Sequence, residues 1–376
     1  MKNLRELIAK YETAGPRYTS YPTAPHFSAD ADKRRLAQLA LGADSPASLY
    51  IHIPFCESLC RFCGCTSSVC RDPSKIDAYI ELLRRELELW RDAGLPKRAL
   101  KQIHFGGGTP NLPSVEQIGK IGELVRKYFS IDADCEFSAE FDPRTLTEDK
   151  VREFVKIGLN RASMGIQDTN PEVQKAVNRI QPQDTNAAAA KWLRDAGVAE
   201  LNIDLIYGLP LQTAKTFEKT LEDALSLNPT RVALFGYAHV PWIKPVQKTL
   251  ENFRIPAPEE KVEIFLLAKD FFEKNGFEYV GLDHFAKPDD PLIAARKNGT
   301  LHRNFQGYTT RAGLDTFAVG LTSISETKTS YRQNFKDMAA YENALSRGEL
   351  PIERGIILDG DDIIRRGIIM DVMCSL

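Results

Sequence analysis

Leu49-Tyr50-Ile51-His52-Ile53-Pro54-Phe55-Cys56-Glu57-Ser58-Leu59-Cys60-Arg61-Phe62-Cys63-Gly64-Cys65 is an apolar, partly β-branched run that ends in four cysteines within ten positions. Its first seven residues read as a buried strand, because branched and aromatic side chains fit a pleated surface. Cys56, Cys60 and Cys63, separated by three and then two residues, bring three thiolates to one small object. Soft thiolate ligands select zinc, copper(I) or an iron–sulfur cluster. Structural zinc sites take four ligands, usually as two separated pairs, and no second Cys-x-x-Cys or His-x-x-x-His pair follows downstream. Zinc is therefore the weaker reading. Three cysteines in one loop suit a four-iron cluster with one iron open to a further ligand.

The rest of the chain bounds what is built around that loop. With 376 residues, 43% of them hydrophobic and 27% charged, it buries a large core and suggests roughly two domains. The net charge is −2 and basic residues are interspersed with acidic ones, so neither nucleic acid nor an acidic membrane surface is expected as a partner. No apolar run of about 18 residues and no signal-peptide pattern is present. A cytoplasmic protein is expected, with its gathered cysteines as metal ligands rather than disulfides.

From Leu49 to about Gly281, apolar β-branched runs alternate with amphipathic stretches, the rhythm of repeated βα units. Strands are expected at 49–55, 102–106, 136–141, 161–167, 201–207 and 231–237. Helices are expected at 74–93, 114–129, 147–156, 171–178, 185–196, 213–227 and 258–274, with Ser114 and Thr147 as N-caps. Six such units suit an open parallel barrel better than a flat doubly wound sheet, and predict an α/β fold with an incomplete (β/α)6-type TIM barrel at 46–290. An N-terminal arm occupies 1–45, with helices at 3–11 and 30–41. Between them, Arg17-Tyr18-Thr19-Ser20-Tyr21-Pro22-Thr23 is stiff and aromatic, and is expected either to pack on the body or to drape over the barrel mouth and close it. A smaller, mostly helical domain is expected at 291–376.

Residues that end barrel strands ring one mouth, so their polar groups face a common ligand. Here those are the cysteine loop, His104-Phe105-Gly106-Gly107-Gly108-Thr109-Pro110, Glu140 with Asp142, Gln167-Asp168, Asp204 with Tyr207, and Tyr237-Ala238-His239. The glycine run lacks the Gly-Lys-Ser/Thr of a phosphate loop and the spacing of a dinucleotide fingerprint. Glycines at a strand end let the backbone approach a ligand closely, which suits an amino-acid ammonium group.

The cysteine spacing resembles the signature of the radical S-adenosylmethionine (SAM) enzymes, whose open iron chelates SAM. Further motifs make the likeness narrower: 17–23 (RYTSYPT), 104–110 (HFGGGTP), 140–144 (EFDPR), 165–168 (GIQD), 177–179 (VNR), 202–210 (NIDLIYGLP), 237–241 (YAHVP) and 302–310 (HRNFQGYTT). Together they resemble the oxygen-independent coproporphyrinogen III oxidase (dehydrogenase) family over nearly the whole chain. The resemblance implies conversion of two propionates of coproporphyrinogen III to vinyl groups, giving protoporphyrinogen IX. It further implies a [4Fe-4S] cluster, two molecules of SAM as source of a 5'-deoxyadenosyl radical, a reduced flavodoxin- or ferredoxin-type electron donor, and a monomer.

Position by position, it implies Cys56, Cys60 and Cys63 as cluster ligands, with Cys65 nearby as a non-ligating catalytic residue and Tyr50 as a second. Tyr50, Phe62, Gly107, Gly108, Thr109, Glu140, Gln167, Arg179, Asp204, Ala238 and Ile324 match SAM-contacting positions. Arg179 suits a methionine carboxylate, gripped by two parallel bonds. A tetracarboxylate macrocycle calls for arginines among aromatics, which singles out Arg17, Tyr21, Arg303 and Arg311. Family members continue with a further C-terminal helical segment, so the C-terminal domain is expected to be shortened, with decarboxylase activity in doubt. Two rival readings are a haem-chaperone-like relative, which would lack Cys65, and an electron carrier, which would bind its cluster through four cysteines including Cys65.

Overall fold

A computed structural model describes residues 6, 10, 20–42 and 46–375. The expected helix at 3–11 and Arg17, Tyr18 and Thr19 of the arm lie outside the described residues, apart from Glu6 and Lys10. The strands are β1 (Ala47–Ile53), β2 (Phe55–Cys56), β3 (Ser68–Val69), β4 (Ala99–Gly107), β5 (Ser130–Phe141), β6 (Arg161–Gln167), β7 (Glu200–Tyr207) and β8 (Arg231–Gly236). They continue as β9 (Glu278–Gly281), β10 (His284–Ala286), β11 (His302–Asn304), β12 (Gly307–Thr309), β13 (Asp315–Val319), β14 (Ile324–Glu326), β15 (Ser330–Asn334) and β16 (Ile352–Ile357). The helices are α1 (Lys33–Leu41), α2 (Pro73–Asp92), α3 (Val115–Tyr128), α4 (Glu148–Ile157), α5 (Pro171–Ala176) and α6 (Gln183–Asp195). They are followed by α7 (Ala214–Ser226), α8 (Pro258–Lys274), α9 (Pro291–Lys297), α10 (Met338–Ser346) and α11 (Gly360–Ser375).

Twelve strands form one sheet in the order β16-β15-β14-β13-β1-β4-β5-β6-β7-β8-β10-β9. The six expected strands are its parallel centre, and β9 and β16 stand at its two ends without pairing with each other, so the barrel is open. Outward residues such as Ile103, Phe105, Phe137, Ala139, Ala162 and Ile203 are buried in the main core with Phe154 and Val151 of α4 and Ile118 of α3. Inward residues are polar. At the N-terminal ends of the strands, Gln102 donates to Glu136 at 2.9 Å, Arg161 joins Glu136 (2.9 Å) and Glu200, and Arg231 joins Glu200 (3.1 Å) and Asp290 (2.7 Å). This chain of alternating charge closes the barrel floor, so the cavity opens toward the strand C-termini.

Helix starts follow the sequence closely. Ser114 and Gln117 cap α3 reciprocally, each bonding the other's backbone N–H. α5 stops at Ala176 rather than 178, because Asn178 takes a left-handed backbone (φ 55°) and its side chain donates to Leu59 O at 2.9 Å. β5 begins six residues before the expected 136, because Lys101 of β4 pairs at 2.9 Å with both Asp132 and Asp134 and offsets the charges that hid this stretch.

The region after 290 holds helices α9, α10 and α11 together with six strands absent from the sequence expectation. β13 pairs parallel with β1, and β14, β15 and β16 extend the sheet antiparallel. Their buried residues include Thr316, Ser325, Arg332, Gln333 and Asn334, so no apolar alternation marks them. Asn334 is tied into a network from α2. Glu86, fully buried, accepts from Gly320 N (2.8 Å), Asn334 Nδ2 (2.7 Å) and Tyr341 OH (2.6 Å). Among the described residues no helix is long and apolar enough to cross a membrane.

Removing the Glu86 carboxylate strands three buried donors at once. Glu86→Ala is expected to lower unfolding stability by about 3 kcal/mol, measured as a fall in the urea midpoint at unchanged slope. A variant with the wild-type midpoint would show that the network is not what holds β13–β15 to α2.

Candidate functional site

The cysteine loop leaves β2 and returns through β3, which pairs parallel with it. Residues far along the chain pin its backbone. Arg61 Nη1 donates to Ala176 O at 2.9 Å, Lys244 Nζ to Cys65 O at 2.8 Å, and Gln247 Nε2 to Phe62 O at 3.1 Å. Two guanidiniums reach the Cys60 sulfur, Arg179 Nη1 at 3.5 Å and Arg144 Nη2 at 3.7 Å. Both also hold the Asp142 carboxylate, at 3.0 and 2.6 Å. Burial alone would raise the Asp142 carboxyl, yet the two arginines keep it below its ordinary value.

The thiols influence one another. Cys56 is pushed up chiefly by burial, with Cys63 and Cys60 adding to it and Thr109 opposing. Cys63 is drawn down to about 6, first by its hydrogen bonding to Cys65, and Cys65 is driven up correspondingly. The donor set is three unpaired cysteines on one short loop, soft ligands of the kind an iron–sulfur cluster takes.

The glycine run is pressed against the loop's own strand. Gly108 N donates to Ile53 O and Thr109 N to Phe55 O, both at 2.8 Å. A Cβ on Gly108 would stand 2.7 Å from Phe55 O and 3.0 Å from Cys56 Sγ, and Gly107 has φ 119°. Glycine is required here by this approach, whatever ligand lies above.

Beneath the loop, Tyr50 OH meets His52 Nδ1 at 2.9 Å and the Tyr50 ring stacks on His104 at 5.9 Å. His104 Nε2 meets Glu140 at 3.2 Å. Asp204 accepts from Ser163 (3.0 Å) and Asn202 (2.8 Å), and burial together with the Glu140 charge pushes it to about 7. Glu140 and Asp204 line one cavity with His104, Ser163 and the hairpin residues Gln306 and Tyr308. At the rim, Arg179 Nη2 donates to Gly165 O at 2.7 Å. Its Nε and the Oε1 of Gln167 are buried with no hydrogen-bond partner among the described residues, and Gln167 has φ 68°. Those groups are a donor and an acceptor of the kind a polar ligand satisfies. Ala238 is exposed beside the loop, its carbonyl accepting from Gln247 at 3.3 Å. Phe62 packs on Val177, Leu209 and Tyr237.

Other candidates fall apart from this group. Ile324 joins Tyr50 in a second, small cavity with Phe305 and Gln306. Arg303 is buried with its guanidinium 4.9 Å from the Tyr308 ring, and its Nε and Nη1 have no partner among the described residues. Arg311 is bound to Asp134 in the N-terminal half of β5, at the opposite end of the strand from Glu140. Tyr21 lies at Arg365 of α11. Sequence reasoning missed Arg144, Lys244 and Gln247. Arg144 stood inside a quoted motif, but Lys244 and Gln247 meet partners 179 and 185 residues away and leave no local signal.

Comparisons with known proteins agree with this geometry. A family profile described as the radical SAM superfamily matches residues 50–224. The oxygen-independent coproporphyrinogen III oxidase of Helicobacter pylori is 42% identical over 99% of this chain and 82% of its own length. That of Escherichia coli is 42% identical over 98% of this chain and 81% of its own length. The solved structure of coproporphyrinogen III oxidase from Escherichia coli, described as a radical SAM enzyme, superposes with a TM-score of 0.92 at 40% identity, covering 98% of this chain and 84% of that one.

Asp204 makes a testable pH dependence. An unfolded aspartate releases its proton near 3.9, whereas Asp204 holds it to about 7. Folding therefore binds a proton between these values, and stability falls as pH rises through that window. Asp204→Asn removes the loss. The variant is expected to be more stable than wild type at pH 8 by about 1 kcal/mol, a gain reduced by the open cavity the carboxylate faces, and to converge with it toward pH 4. Thermal unfolding across this range checks the sign, and a constant difference at all pH values would remove the buried-proton account.

Proposed function

The chain belongs to the oxygen-independent coproporphyrinogen III oxidase family of radical SAM enzymes, and from that premise we propose that it converts two propionates of coproporphyrinogen III to vinyl groups, giving protoporphyrinogen IX without oxygen. The observation that carries this reading is the three-cysteine loop at the barrel mouth, with the orphaned Arg179 and Gln167 atoms beside it and the polar cavity of Glu140 and Asp204 beneath. It is a radical SAM oxidoreductase with a [4Fe-4S] cluster and SAM.

In our reading Cys56, Cys60 and Cys63 hold the cluster. When bound, cluster and SAM would supply a 5'-deoxyadenosyl radical to take one hydrogen atom from each propionate side chain, which then loses carbon dioxide and passes one electron to an acceptor. The chain's own residues bind and orient. Arg179 offers its free Nε to the methionine carboxylate, Gln167 offers Oε1 to the ammonium, and Glu140 and Asp204 accept from ribose hydroxyls. Gly107, Gly108 and Thr109 present backbone at close range, while Phe62, Ala238 and Ile324 supply apolar surface and backbone. Tyr50, in contact with His52 and His104, and Cys65, hydrogen-bonded to Cys63, are in this reading the residues that hold a proton for the reaction.

Two propionates call for two molecules of SAM, one per decarboxylation. Among the substrate candidates Arg17, Tyr21, Arg303 and Arg311, Arg303 is supported best, because its buried Nε and Nη1 lack a partner among the described residues and suit a carboxylate. We further propose a monomer, reduced by a flavodoxin- or ferredoxin-type carrier, in the cytoplasm. The seven cysteines are all unpaired, as in a reducing compartment.

Anaerobic reconstitution with iron and sulfide, followed by assay of 5'-deoxyadenosine and porphyrin products, tests this. Cys56→Ser, Cys60→Ser and Cys63→Ser are each expected to lose the cluster absorbance and all SAM cleavage, since three ligands leave no spare. Cys65→Ser is expected to keep its iron and lose turnover. Equal iron loss in Cys65→Ser would favour a four-cysteine electron carrier, and haem binding with coproporphyrinogen unchanged would favour a chaperone.

A further inference from the structure

The function proposed above gives the amino-acid end of SAM two partners, Arg179 Nε and Gln167 Oε1, and both have to be held at one spacing. They sit on different segments. Gln167 ends β6 with φ 68°, and Arg179 lies in the loop that follows α5. A Cβ at Gly165 would stand 2.7 Å from Gln167 Nε2 and 3.2 Å from Arg179 Nη2, so the two side chains meet above that glycine. Asp142 and the Gly165 carbonyl fix the Arg179 guanidinium. Neither of these bonds fixes the backbone that carries it.

Gln174 of α5 does so, and it is only 5% exposed. Its carbonyl accepts from Arg179 N at 2.8 Å. Its side-chain Oε1 accepts from Gln181 N at 2.9 Å, and Nε2 donates to Gln181 O at 2.8 Å. The other Nε2 hydrogen goes to Asp168 O at 2.9 Å. One buried residue thus grips the chain at Arg179 and just beyond it, and ties both to the residue that follows Gln167. Asp168 is itself anchored, its carboxylate accepting from Asn170 N and from Gln212 Nε2, each at 2.6 Å. The partners settle which way the amide points, since two carbonyls need the nitrogen and one N–H needs the oxygen. Glutamate here would lack the donors and lysine the acceptor.

We propose that Gln174 is a positioning residue for SAM, which sets the spacing of Arg179 Nε and Gln167 Oε1 so that a carboxylate and an ammonium on one carbon are held together. It touches neither group itself. This rests on the SAM reading above, and the experiment separates the two. The probes are S-adenosylhomocysteine, which carries both groups, and 5'-methylthioadenosine, which carries neither, titrated by calorimetry into the reconstituted enzyme. Gln174→Met keeps the length and removes all three side-chain bonds, whereas Gln174→Glu keeps the acceptor for Gln181 N and removes both donors. Each variant is expected to raise the Kd for S-adenosylhomocysteine about tenfold, as misplacing a charge-assisted bond does, and to leave that for 5'-methylthioadenosine unchanged. The KM for SAM in dithionite-driven 5'-deoxyadenosine release rises in parallel, and the iron content stays at the wild-type value. Gln183→Met removes instead the bonds of a neighbouring glutamine to Asp223 O (3.0 Å) and Ser226 Oγ (3.3 Å), and is expected to alter neither affinity.

Equal weakening of the two ligands, or loss of iron in both Gln174 variants, would make Gln174 a folding residue and overturns the inference. Unchanged affinity for S-adenosylhomocysteine overturns it as well. Wild-type enzyme that binds neither compound overturns the SAM reading, and the positioning role with it.

Discussion

The Asp142 carboxylate between Arg179 and Arg144 is the interaction on which the site depends. Both guanidiniums would otherwise be free to turn to solvent or to repel one another. Held at 3.0 and 2.6 Å by one buried acid, both point toward the Cys60 sulfur. A loop of three thiolates is strongly anionic, and burying anions costs several kcal/mol apiece unless cations accompany them. The arrangement supplies those cations in fixed positions while spending Arg179's other terminal nitrogen on the Gly165 carbonyl, which ties the loop to the end of β6. The Nε that is left over is then the group available to a ligand.

A polar barrel interior has to be satisfied everywhere except where ligands bind. Most of the floor is paired through alternating charges from Glu136 to Asp290, and part of the flank through Glu86 with its three donors, while Arg161 Nε and Arg332 Nη2 keep no partner among the described residues. Tyr79 links flank to mouth, donating to His52 O at 2.8 Å and accepting from Leu321 N at 2.9 Å. At the mouth, Gln167 Oε1 and Arg179 Nε keep no partner among the described residues, and Asp204 keeps its proton to about 7. A donor and an acceptor left together at the end of β6 suit a polar ligand.

This contrast also explains what was legible in the sequence. The cysteine loop, the six parallel strands and their helices announce themselves through local spacing and periodicity, which depend on near neighbours only. Arg161–Gln167 and Pro258–Lys274 match to the residue. The hairpin β11–β12 and strands β13–β16 do not, because their burial is polar and is satisfied by residues more than 200 positions away, such as Gln102 for Thr309 and Glu86 for Asn334. Lys244 and Gln247 escape notice for the same reason. The family likeness pointed to most of the mouth residues, while the engagement of Arg311 with Asp134 and the second cavity at Ile324 are tertiary facts.

The open barrel bears on which substrates such a site can take. A closed eight-stranded barrel is filled by its own side chains and admits ligands only at one end. Here β1 pairs with β13 on one side and β8 with β10 on the other, so the sheet curls without meeting itself. The hairpin β11–β12 occupies part of the interior instead, contributing Asn304, Gln306, Gly307, Tyr308 and Thr309 to the cavity wall. The hairpin's own ladder is short, and it is held in place as well by Gln102 of β4 on Thr309 at 3.3 Å and by its Tyr308 OH on Met373 O of α11 at 2.8 Å. The barrel strands therefore set the polar ring, and a hairpin anchored at one end on β4 and at the other on α11 completes the wall that an open sheet leaves unmade.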